Sequence, residues 1–333
     1  MKRDLKQTLA RITPRQVHGI AAVLLPHLPA GGVDWDGFER HIVRTHEAGL
    51  ACAVNMDTGF GDLLSLDQHR AVLAATRRAL GDGVRFYAGA YSRDEHDPLA
   101  GYRQAIADID AHGAMPVIVQ CRAMHGMRPA QKADLYARVV GIASAGALAF
   151  ELSPRFAPHG EIWDEETFER LLQVEGLLGA KHSSLDRGIE FSRLEQRDRL
   201  RAEFRVYTGN DLAIDMVAYG SDYLLGLATF APQRFAARDR LFEAGDADFL
   251  MLNDALQHLG NVGFRTPIPA YKHSAAQFLH LCGMLAGDDI HPDAPRRPGS
   301  ERILLLDCAI RLGLVDDREK AWNEHVVPHL ART

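Results

Sequence analysis

Cysteine is scarce in this chain, and its few positions are far apart. The four cysteines among the 333 residues, Cys52, Cys121, Cys282 and Cys308, form no C-x-x-C pair. Their spacing argues against a zinc knuckle and against the disulfide framework of a small secreted domain. Residues 1–14 also lack the apolar stretch that a signal peptide needs. We therefore expect a protein of the reducing cytoplasm.

The chain has neither an excess of positive charge nor a long apolar run. Its formal net charge of −6 offers no basic surface for nucleic acid or an anionic membrane. No stretch is long enough and free enough of charge to span a bilayer. Small molecules are therefore the expected partners, with no role for nucleic acid or membrane.

Sequence motifs for three common chemistries are also missing. The chain contains no Gly-x-x-x-x-Gly-Lys loop and no Gly-x-Ser-x-Gly elbow, which disfavours nucleotide hydrolysis and serine hydrolysis. Its sixteen histidines form no His-Glu-x-x-His motif and no closely spaced His/Asp cluster. The sequence thus predicts no metal site.

Short apolar runs alternate with longer amphipathic segments along the chain. This alternation is typical of repeated βα units around a parallel sheet. Eight units predict an α/β fold of the (β/α)8 TIM-barrel type, because a doubly wound sheet would carry a Gly-rich fingerprint that is absent here. The predicted strands are Ile20–Leu25, Ala51–Asn55, Val84–Ala90, Pro116–Cys121, Ala147–Leu152, Leu177–Lys181, Phe204–Thr208 and Tyr223–Ala228.

Helices are predicted both between the strands and after the last of them. Residues 1–235 are expected to form the barrel, and residues 236–333 a helical extension packed on it. Proline and glycine mark the breaks within the extension. The predicted helices are Asp36–Ala48, Leu66–Leu80, Pro98–Ala111, Lys132–Ala143, Asp164–Gln173, Phe235–Ala244, Ala247–Leu259, Ser274–Leu285 and Ser300–Leu312.

Lys181 ends the sixth predicted strand, and active sites of such barrels lie at the carboxyl ends of the strands. A two-residue alternation places Gly179 and Lys181 on one face. An amine in a low-dielectric interior loses proton affinity and can attack a ketone to form an imine. The alternative is a lysine that reaches solvent or pairs with a carboxylate.

Several segments resemble the dihydrodipicolinate synthase and N-acetylneuraminate lyase family. Gly179-Ala180-Lys181-His182-Ser183-Ser184 is similar to the stretch that holds the imine lysine of that family. Val206–Asp211 and Thr266–Pro269 with Lys272 resemble two further family motifs, so the similarity runs through nearly the whole chain. The resemblance implies a Schiff-base lyase of 2-keto acids that needs no cofactor and forms a homodimer or homotetramer.

The resemblance also assigns roles around the lysine. Asp57-Thr58-Gly59-Phe60 falls where the family has the Gly-Thr-Thr-Gly-Glu loop that binds the substrate carboxylate. Thr58 and Gly59 are therefore expected to seat the carboxylate, and Asp57 to move protons. The remaining expected substrate-binding residues shape the mouth and wall of the site: Gly209, Asn210, Asp211, Leu225 and Gly226.

The largest departure from the family lies at strand five, where Glu151 occupies the position of the proton-relay tyrosine. If the small residues of Ala147–Leu152 face inward, Glu151 points toward Lys181. It would then act as a general acid or base, or alternatively as an ion-pair partner of the lysine. Arg122 or Arg155 could grip a second carboxylate, although a solvated loop position is the alternative for both.

Three functions remain open at this point. The first is an aldolase, lyase or dehydratase that forms a Lys181 imine with pyruvate or a sugar-derived 2-keto acid; its altered relay argues against true dihydrodipicolinate synthesis. The second is acid/base or metal-assisted chemistry by Asp57 and Glu151 without an imine. The third is a barrel that binds a sugar acid without turning it over.

Overall fold

The chain folds into a closed barrel of eight parallel strands. The computed structural model describes residues 13–94 and 96–330. Each strand pairs with the next, and β1 pairs with β8 to close the barrel. The predicted (β/α)8 architecture is confirmed. The bounds of most strands differ from the predicted bounds by a few residues. The strands are β1 (Gly19–Ala22), β2 (Ala51–Val54), β3 (Tyr87–Ala90), β4 (Met115–Ile118), β5 (Ala147–Leu152), β6 (Leu177–Ser183), β7 (Arg205–Thr208) and β8 (Asp222–Leu225).

Helices follow the strands, and further helices follow the barrel. Two of them, Leu66–Leu80 and Pro98–Ala111, have the bounds that the sequence predicts. The helices in the described part of the chain are α1 (Trp35–Ala48), α2 (Leu66–Leu80), α3 (Pro98–Ala111), α4 (Pro129–Val140), α5 (Glu165–Leu172), α6 (Arg187–Leu200), α7 (Pro232–Glu243), α8 (Asp248–Gly263), α9 (Tyr271–Leu281), α10 (Glu301–Arg311), α11 (Arg318–Ala321) and α12 (Val327–Leu330).

Helix α6 has no counterpart among the predicted helices. Its buried face carries Glu190, Arg193 and Gln196 together with Leu194. Because three of these four buried side chains are polar, the helix lacks the apolar stripe on which an amphipathic pattern depends.

The strands separate two apolar cores. One lies between the strands and the helices, and the other fills the barrel interior with side chains from seven of the eight strands. On β5 the interior side chains are Leu148, Phe150 and Leu152, whereas Ala147 and Ala149 face the helices. The predicted orientation of β5 is therefore wrong: the large residues, not the small ones, face inward.

The amino-terminal end of the barrel is closed by an ionic cluster. Asp222 accepts hydrogen bonds from Arg15 at 2.8 Å and from Arg205 at 2.5 Å, and the backbone N–H of His18 donates to it at 2.9 Å. Residues at this end of a TIM barrel usually stabilise the fold and take no part in catalysis. The chemistry is therefore sought at the opposite end.

The extension returns to the carboxyl end of the barrel through α9. All residues of α9 except His280 are buried. The segment before it is held by Arg297, whose guanidinium donates to the carbonyl oxygens of Gly263, Arg265, Thr266 and Pro267. The domain boundary predicted after residue 235 falls inside α7, and the division at that point stays a prediction.

None of the helices in the described residues combines the length and apolarity needed to cross a bilayer. The same residues contain no group of three or more His, Cys, Asp or Glu side chains arranged to hold a metal ion.

Candidate active site

Lys181 points from β6 into a small cavity at the carboxyl end of the barrel. The residue is only 6% exposed, and its Nζ lies 4.3 Å from the centre of the Phe150 ring. Among the described residues, none accepts a hydrogen bond from this amine. The cavity is narrow, with a volume of about 10 Å³, and is lined by Asp57, Phe150, Leu152, Phe156, Lys181, Ser183, Gly209, Asp211, Gly226 and Tyr271. The predicted inward orientation of Lys181 is confirmed.

The cavity makes the Lys181 amine easier to deprotonate. Burial lowers its pKa from 10.5 to about 8, and the nearby negative charges of Asp211 and Asp57 offset part of that effect. With a pKa of about 8, roughly a tenth of the amine is neutral at pH 7, about 300 times the fraction of an ordinary lysine. A neutral amine is the form that attacks a carbonyl carbon.

Asp57 follows β2 in a short 3₁₀ turn, Asp57–Gly59, and its carboxylate faces the cavity. Lys272 Nζ lies 2.7 Å from its Oδ1, and the Tyr271 hydroxyl donates to its Oδ2 at 2.8 Å. Burial would raise the pKa of Asp57, but the charge and hydrogen bond of Lys272 and the hydrogen bond of Tyr271 lower it overall. Asp57 is therefore held as an anion beside the amine.

Tyr271, the first residue of α9, completes the wall of the cavity. Its hydroxyl donates to Asp57 and lies 2.8 Å from Thr58 Oγ1, so Thr58 must be the donor in that second hydrogen bond. Its ring stacks on Phe264 at a centroid distance of 4.3 Å. Burial raises the pKa of Tyr271 well above its usual range, so the phenol carries its proton at neutral pH.

Thr58 and Gly59, predicted to seat a carboxylate, do not line the cavity. The Gly59 N–H donates to Met56 O at 3.0 Å within the turn, so it is already used. Thr58 reaches the cavity only through Tyr271. The Thr58 hydroxyl and the Gly59 N–H are thus engaged within the protein, their contact with a substrate carboxylate stays a prediction, and Asp57 is the residue of the turn that lines the cavity.

The residues after β7 divide between the cavity and the helix layer. Gly209 and Asp211 line the cavity, as predicted. Burial raises the pKa of Asp211 to about 7, against the lowering effect of Lys181 and of the Leu227 N–H, which donates at 2.7 Å. Asn210 points the other way, toward Glu190, to whose Oε2 it donates at 2.6 Å.

Leu225 and Gly226 at the end of β8, and Arg155 after β5, are also predicted to bind substrate, and the structure places them differently. Gly226 lines the cavity, and a Cβ there would lie 3.0 Å from the Tyr271 ring. Leu225 belongs to the core between strands and helices, because its neighbour Leu224 takes the interior position. Arg155 is exposed and lies outside the cavity lining. Asn210 and Leu225 therefore face the helix layer and not the cavity, and substrate binding by Arg155 stays a prediction.

Glu151 does not point toward Lys181, and its predicted place in the site is wrong. It lies on the outer face of β5, where its carboxylate contacts His182 Nδ1 at 2.5 Å and Arg193 Nη2 at 2.8 Å. The Trp163 N–H donates to it at 2.9 Å. Burial would raise the pKa of Glu151, but His182 and Arg193 lower it to about 2. The carboxylate therefore anchors β6 through the residue next to Lys181.

The structure separates Asp57 from Glu151, the two carboxylates that acid/base chemistry without an imine would need in one site. Asp57 faces the cavity, whereas Glu151 lies behind the sheet among helix residues. The same separation removes the predicted ion pair between Glu151 and Lys181. The sequence analysis does not predict Tyr271 as a cavity residue, although it directly precedes Lys272 in a motif similar to the family; Phe150, Leu152, Phe156 and Ser183 are the other unpredicted lining residues.

Comparison with known proteins supports the resemblance seen in the motifs. A 4-hydroxy-tetrahydrodipicolinate synthase from Laribacter hongkongensis is 25% identical over 260 residues, which cover 75% of this chain and 84% of that protein. One from Parasynechococcus marenigrum is 26% identical over 283 residues, 83% of this chain and 89% of that protein.

Solved structures of the same kind share the fold. A dihydrodipicolinate synthase from Acinetobacter baumannii in complex with pyruvate matches with a TM-score of 0.75 and 19% identity, over 90% of this chain and 100% of that one. A prophage protein of the dihydrodipicolinic acid synthase family from E. coli K12, also with pyruvate, has a TM-score of 0.78 and 16% identity, over 90% and 99% of the two chains.

These similarities confirm the resemblance to the dihydrodipicolinate synthase family. The structures, at under 20% identity, are evidence of the fold. The assignment of the chain itself rests on a family match over almost its full length. The family described as "Protein of unknown function (DUF993)" matches residues 1–323, and the chain belongs to it.

Proposed function

We propose that this protein is a Schiff-base lyase whose Lys181 condenses with the ketone of a small 2-keto acid, pyruvate or a sugar-derived analogue. The observation that carries the proposal is the buried amine, which has no ion-pair partner within hydrogen-bonding distance in the described residues and opens on a cavity. The position of the amine at the carboxyl end of β6 supports it. So do the names of the two curated relatives and the pyruvate bound in two similar structures.

The chemistry follows from the amine and its surroundings. The neutral Lys181 Nζ attacks C2 of the keto acid, and loss of water from the carbinolamine leaves a cationic imine. That cation withdraws the electron pair when a bond at C3 breaks, or directs C3 to attack a second carbonyl. The carboxylates of Asp57 and Asp211 at the cavity stabilise the cation in a low-dielectric setting.

Asp211 is suited to the proton transfer that releases water. A carboxyl whose pKa is near 7 is about half protonated at neutral pH. Its acid form donates a proton to the departing hydroxyl, and its anionic form takes one back. Because Asp211 lines the same cavity as Lys181, the transfer needs no long-range path.

The strand-five wall argues for a substrate or bond different from those of a true dihydrodipicolinate synthase. Phe150 pairs with Lys181 in the sheet and faces the cavity, and Phe150 has no proton to exchange. Gln120, which follows β4, is hydrogen-bonded to the backbone. Its Oε1 accepts from the N–H groups of Leu152 and Glu161, and its Nε2 donates to Glu161 O. Neither strand supplies a relay tyrosine.

A second cavity, at the carboxyl ends of β3 and β4, offers room for part of a longer substrate. It has a volume of about 380 Å³ and is lined by Asp62, Tyr91, Arg122 and His159, among others. Burial lowers the pKa of His159, and the charges of Asp62 and Asp57 oppose that effect, which supports an electrostatic link between this cavity and the Lys181 cavity. Arg122 there could take the second carboxylate of a dicarboxylate or sugar diacid in two-pronged fashion.

The test is reductive trapping. The protein is incubated with pyruvate and a panel of 2-keto sugar acids, borohydride is added, and the adduct is mapped by peptide mass spectrometry. A mass increase on the peptide containing Lys181, and none on Lys272, is the expected result. Lys272 is the internal control because it lies close by but is ion-paired with Asp57. Thermal stabilisation by these acids without any adduct or turnover would favour a binding protein instead.

The rate of trapping is expected to rise about tenfold per pH unit between pH 6 and pH 7.5 and to level off above pH 8. The reason is that the attacking form is the neutral amine, and burial lowers the pKa of Lys181 to about 8. The measurement is the initial rate of adduct formation with borohydride added at fixed times. A rate that keeps rising to pH 10 would contradict the lowered pKa.

Replacing Gly209 with alanine is expected to slow trapping at least tenfold. An added Cβ would lie 2.1 Å from Ser183 Oγ, 2.8 Å from Lys181 Cε and 3.0 Å from His182 O. Overpacking of this kind costs about 1–3 kcal/mol, so the free energy of unfolding in urea should fall by that amount. Gly287→Ala is the control, since its Cβ would meet nothing nearer than 3.9 Å. A trapping rate equal to that of Gly287→Ala would show that Lys181 tolerates the methyl group.

A further inference from the structure

The Lys181 cavity is bordered by a continuous hydrogen-bonded chain of four side chains. Thr58 donates to the Tyr271 hydroxyl at 2.8 Å, Tyr271 donates to Asp57 Oδ2 at 2.8 Å, and Lys272 Nζ lies 2.7 Å from Asp57 Oδ1. Two members follow β2, and two begin α9 in the extension. Tyr271 and Asp57 both line the cavity that holds Lys181.

The rest of the cavity wall offers little that can move a proton. Its β5 side is Phe150 and Leu152, and Phe156 follows them. Ser183 donates its hydroxyl proton to Gly209 O at 3.2 Å, which engages it with the backbone. The exchangeable groups left besides Lys181 are Asp57, Asp211 and Tyr271, and only Tyr271 and Asp57 are bonded to each other in series.

We propose that Tyr271 is the group that takes the C3 proton of the Lys181-bound keto acid and passes a proton to Asp57, a step separate from the release of water assigned to Asp211. The inference rests on the proposed function, because it needs the imine at Lys181. It assigns to the C-terminal extension a catalytic residue that the barrel strands lack.

The step conserves atoms and charge. The C3–H bond of the cationic imine breaks, and its proton moves to the Tyr271 oxygen. The proton that Tyr271 carried moves at the same time along its existing hydrogen bond to Asp57 Oδ2. The electron pair of the C–H bond becomes the C2=C3 bond, and the C=N pair returns to nitrogen. One positive and one negative charge become a neutral enamine and a neutral carboxylic acid, while the Lys272 ammonium beside Asp57 keeps its charge.

The two outer members of the chain prepare this transfer. Because Thr58 donates to the Tyr271 oxygen, the phenol hydrogen can only point at Asp57. Lys272 keeps Asp57 ionised, the form that can accept a proton, and by lowering the pKa of Asp57 it also favours return of that proton in the reverse step. Stacking on Phe264 fixes the ring, and Gly226 leaves it room, since a Cβ at 226 would lie 3.0 Å from it.

The test separates imine formation from proton transfer. The unsubstituted protein and the Tyr271→Phe variant are incubated with pyruvate in deuterium oxide. Adduct on Lys181 is measured by borohydride trapping at long times, and C3 exchange by loss of the methyl proton signal. Tyr271→Phe is expected to keep the adduct while its exchange rate falls about 10²- to 10⁴-fold, the usual contribution of a positioned acid or base.

Tyr207→Phe is the matched control, because its hydroxyl lies at the other end of the barrel, 3.5 Å from His18 Nδ1. It should exchange like the unsubstituted protein. Exchange by Tyr271→Phe at the rate of the Tyr207 control, with adduct present, overturns the role of Tyr271 and leaves the Lys181 proposal standing. Absence of adduct on the unsubstituted protein overturns the proposed function itself.

A second variant covers the case in which Tyr271→Phe does not fold. Asp57→Asn keeps an oxygen that accepts from Tyr271 but cannot take its proton. It is expected to form the Lys181 adduct and to lose exchange by a similar factor. A damaged fold would lower adduct and exchange together, whereas a lost proton acceptor lowers exchange alone; equal exchange in Asp57→Asn and the unsubstituted protein also overturns the relay.

Discussion

Replacing Lys181 with methionine is expected to abolish borohydride trapping and to reduce any turnover by on the order of 10⁴-fold or more. Methionine has a similar length but no amine, so the covalent step cannot occur. Removal of a covalent nucleophile costs about 10⁶-fold in a well-characterised protease. The measurements are adduct mass and turnover with whichever keto acid traps on the unsubstituted protein.

The same variant should be at least as stable as the unsubstituted protein at pH 7. Burial lowers the pKa of Lys181 to about 8, so below that pH the folded cavity holds a charge that it disfavours relative to water. One pKa unit corresponds to about 1.4 kcal/mol, and methionine removes this cost, for a gain of about 1–3 kcal/mol less the lost contact with Phe150.

Lys132→Met is the matched control for both measurements. Lys132 is also buried, but its amine lies 2.6 Å from Glu161 Oε1, outside the cavity. Its replacement should leave trapping unchanged and lower stability, because Glu161 loses its partner. If the Lys181→Met variant still forms an adduct, on Lys272 or elsewhere, Lys181 is not the amine that forms the imine.

Glu151→Ala is expected to lower the free energy of unfolding by about 3–5 kcal/mol. Removing the carboxylate leaves the Arg193 guanidinium, which is 2% exposed, without its counter-charge, and breaking a buried ion pair costs this much. The Trp163 N–H also loses its acceptor. The measurement is urea unfolding at pH 7, followed by circular dichroism.

Glu190→Ala is the matched control, since Glu190 is equally buried but accepts from the neutral donors Ser221, Thr208 and Asn210. Its loss should cost about 1–3 kcal/mol. Equal losses in the two variants would show that the charge of Arg193 adds nothing.

The two glutamates should also differ in acid. Interactions with His182 and Arg193 lower the pKa of Glu151 to about 2, so its contribution is complete above its ordinary pKa of 4.5 and is lost as the pH falls toward 2. Burial raises the pKa of Glu190, so its contribution is present at low pH and declines as the pH rises through its folded value. Glu151→Ala should therefore flatten the acid limb of the stability curve.

The barrel could be predicted because hydrophobic periodicity reports burial directly. All eight strands lie within or close to the predicted apolar runs, and β5 has the predicted bounds. Helix α6 could not be found in this way, because its buried face is mostly polar. Arg193 forms an ion pair with Glu151, and Glu190 accepts a hydrogen bond from Thr208.

The orientation of Glu151 shows a second limit. Alternation along β5 defines two faces but not which of them is inside, and here both faces are buried. The polar residue was compatible with either face, and partners on α6 decided the outcome. Tyr271 shows a third limit. It lies 90 positions after Lys181, and no local sequence pattern indicates that it lines the cavity that holds Lys181.

The position of α9 in the chain has a consequence for biosynthesis. The ribosome makes the eight strands first, and domains begin to fold while synthesis continues. Until residues 271 and 272 emerge, Asp57 lacks the ammonium and the phenol that bind it in the complete fold. The cavity wall is thus completed late in synthesis, so a polypeptide terminated before α9 would contain Lys181 and Asp57 but lack Tyr271 and Lys272.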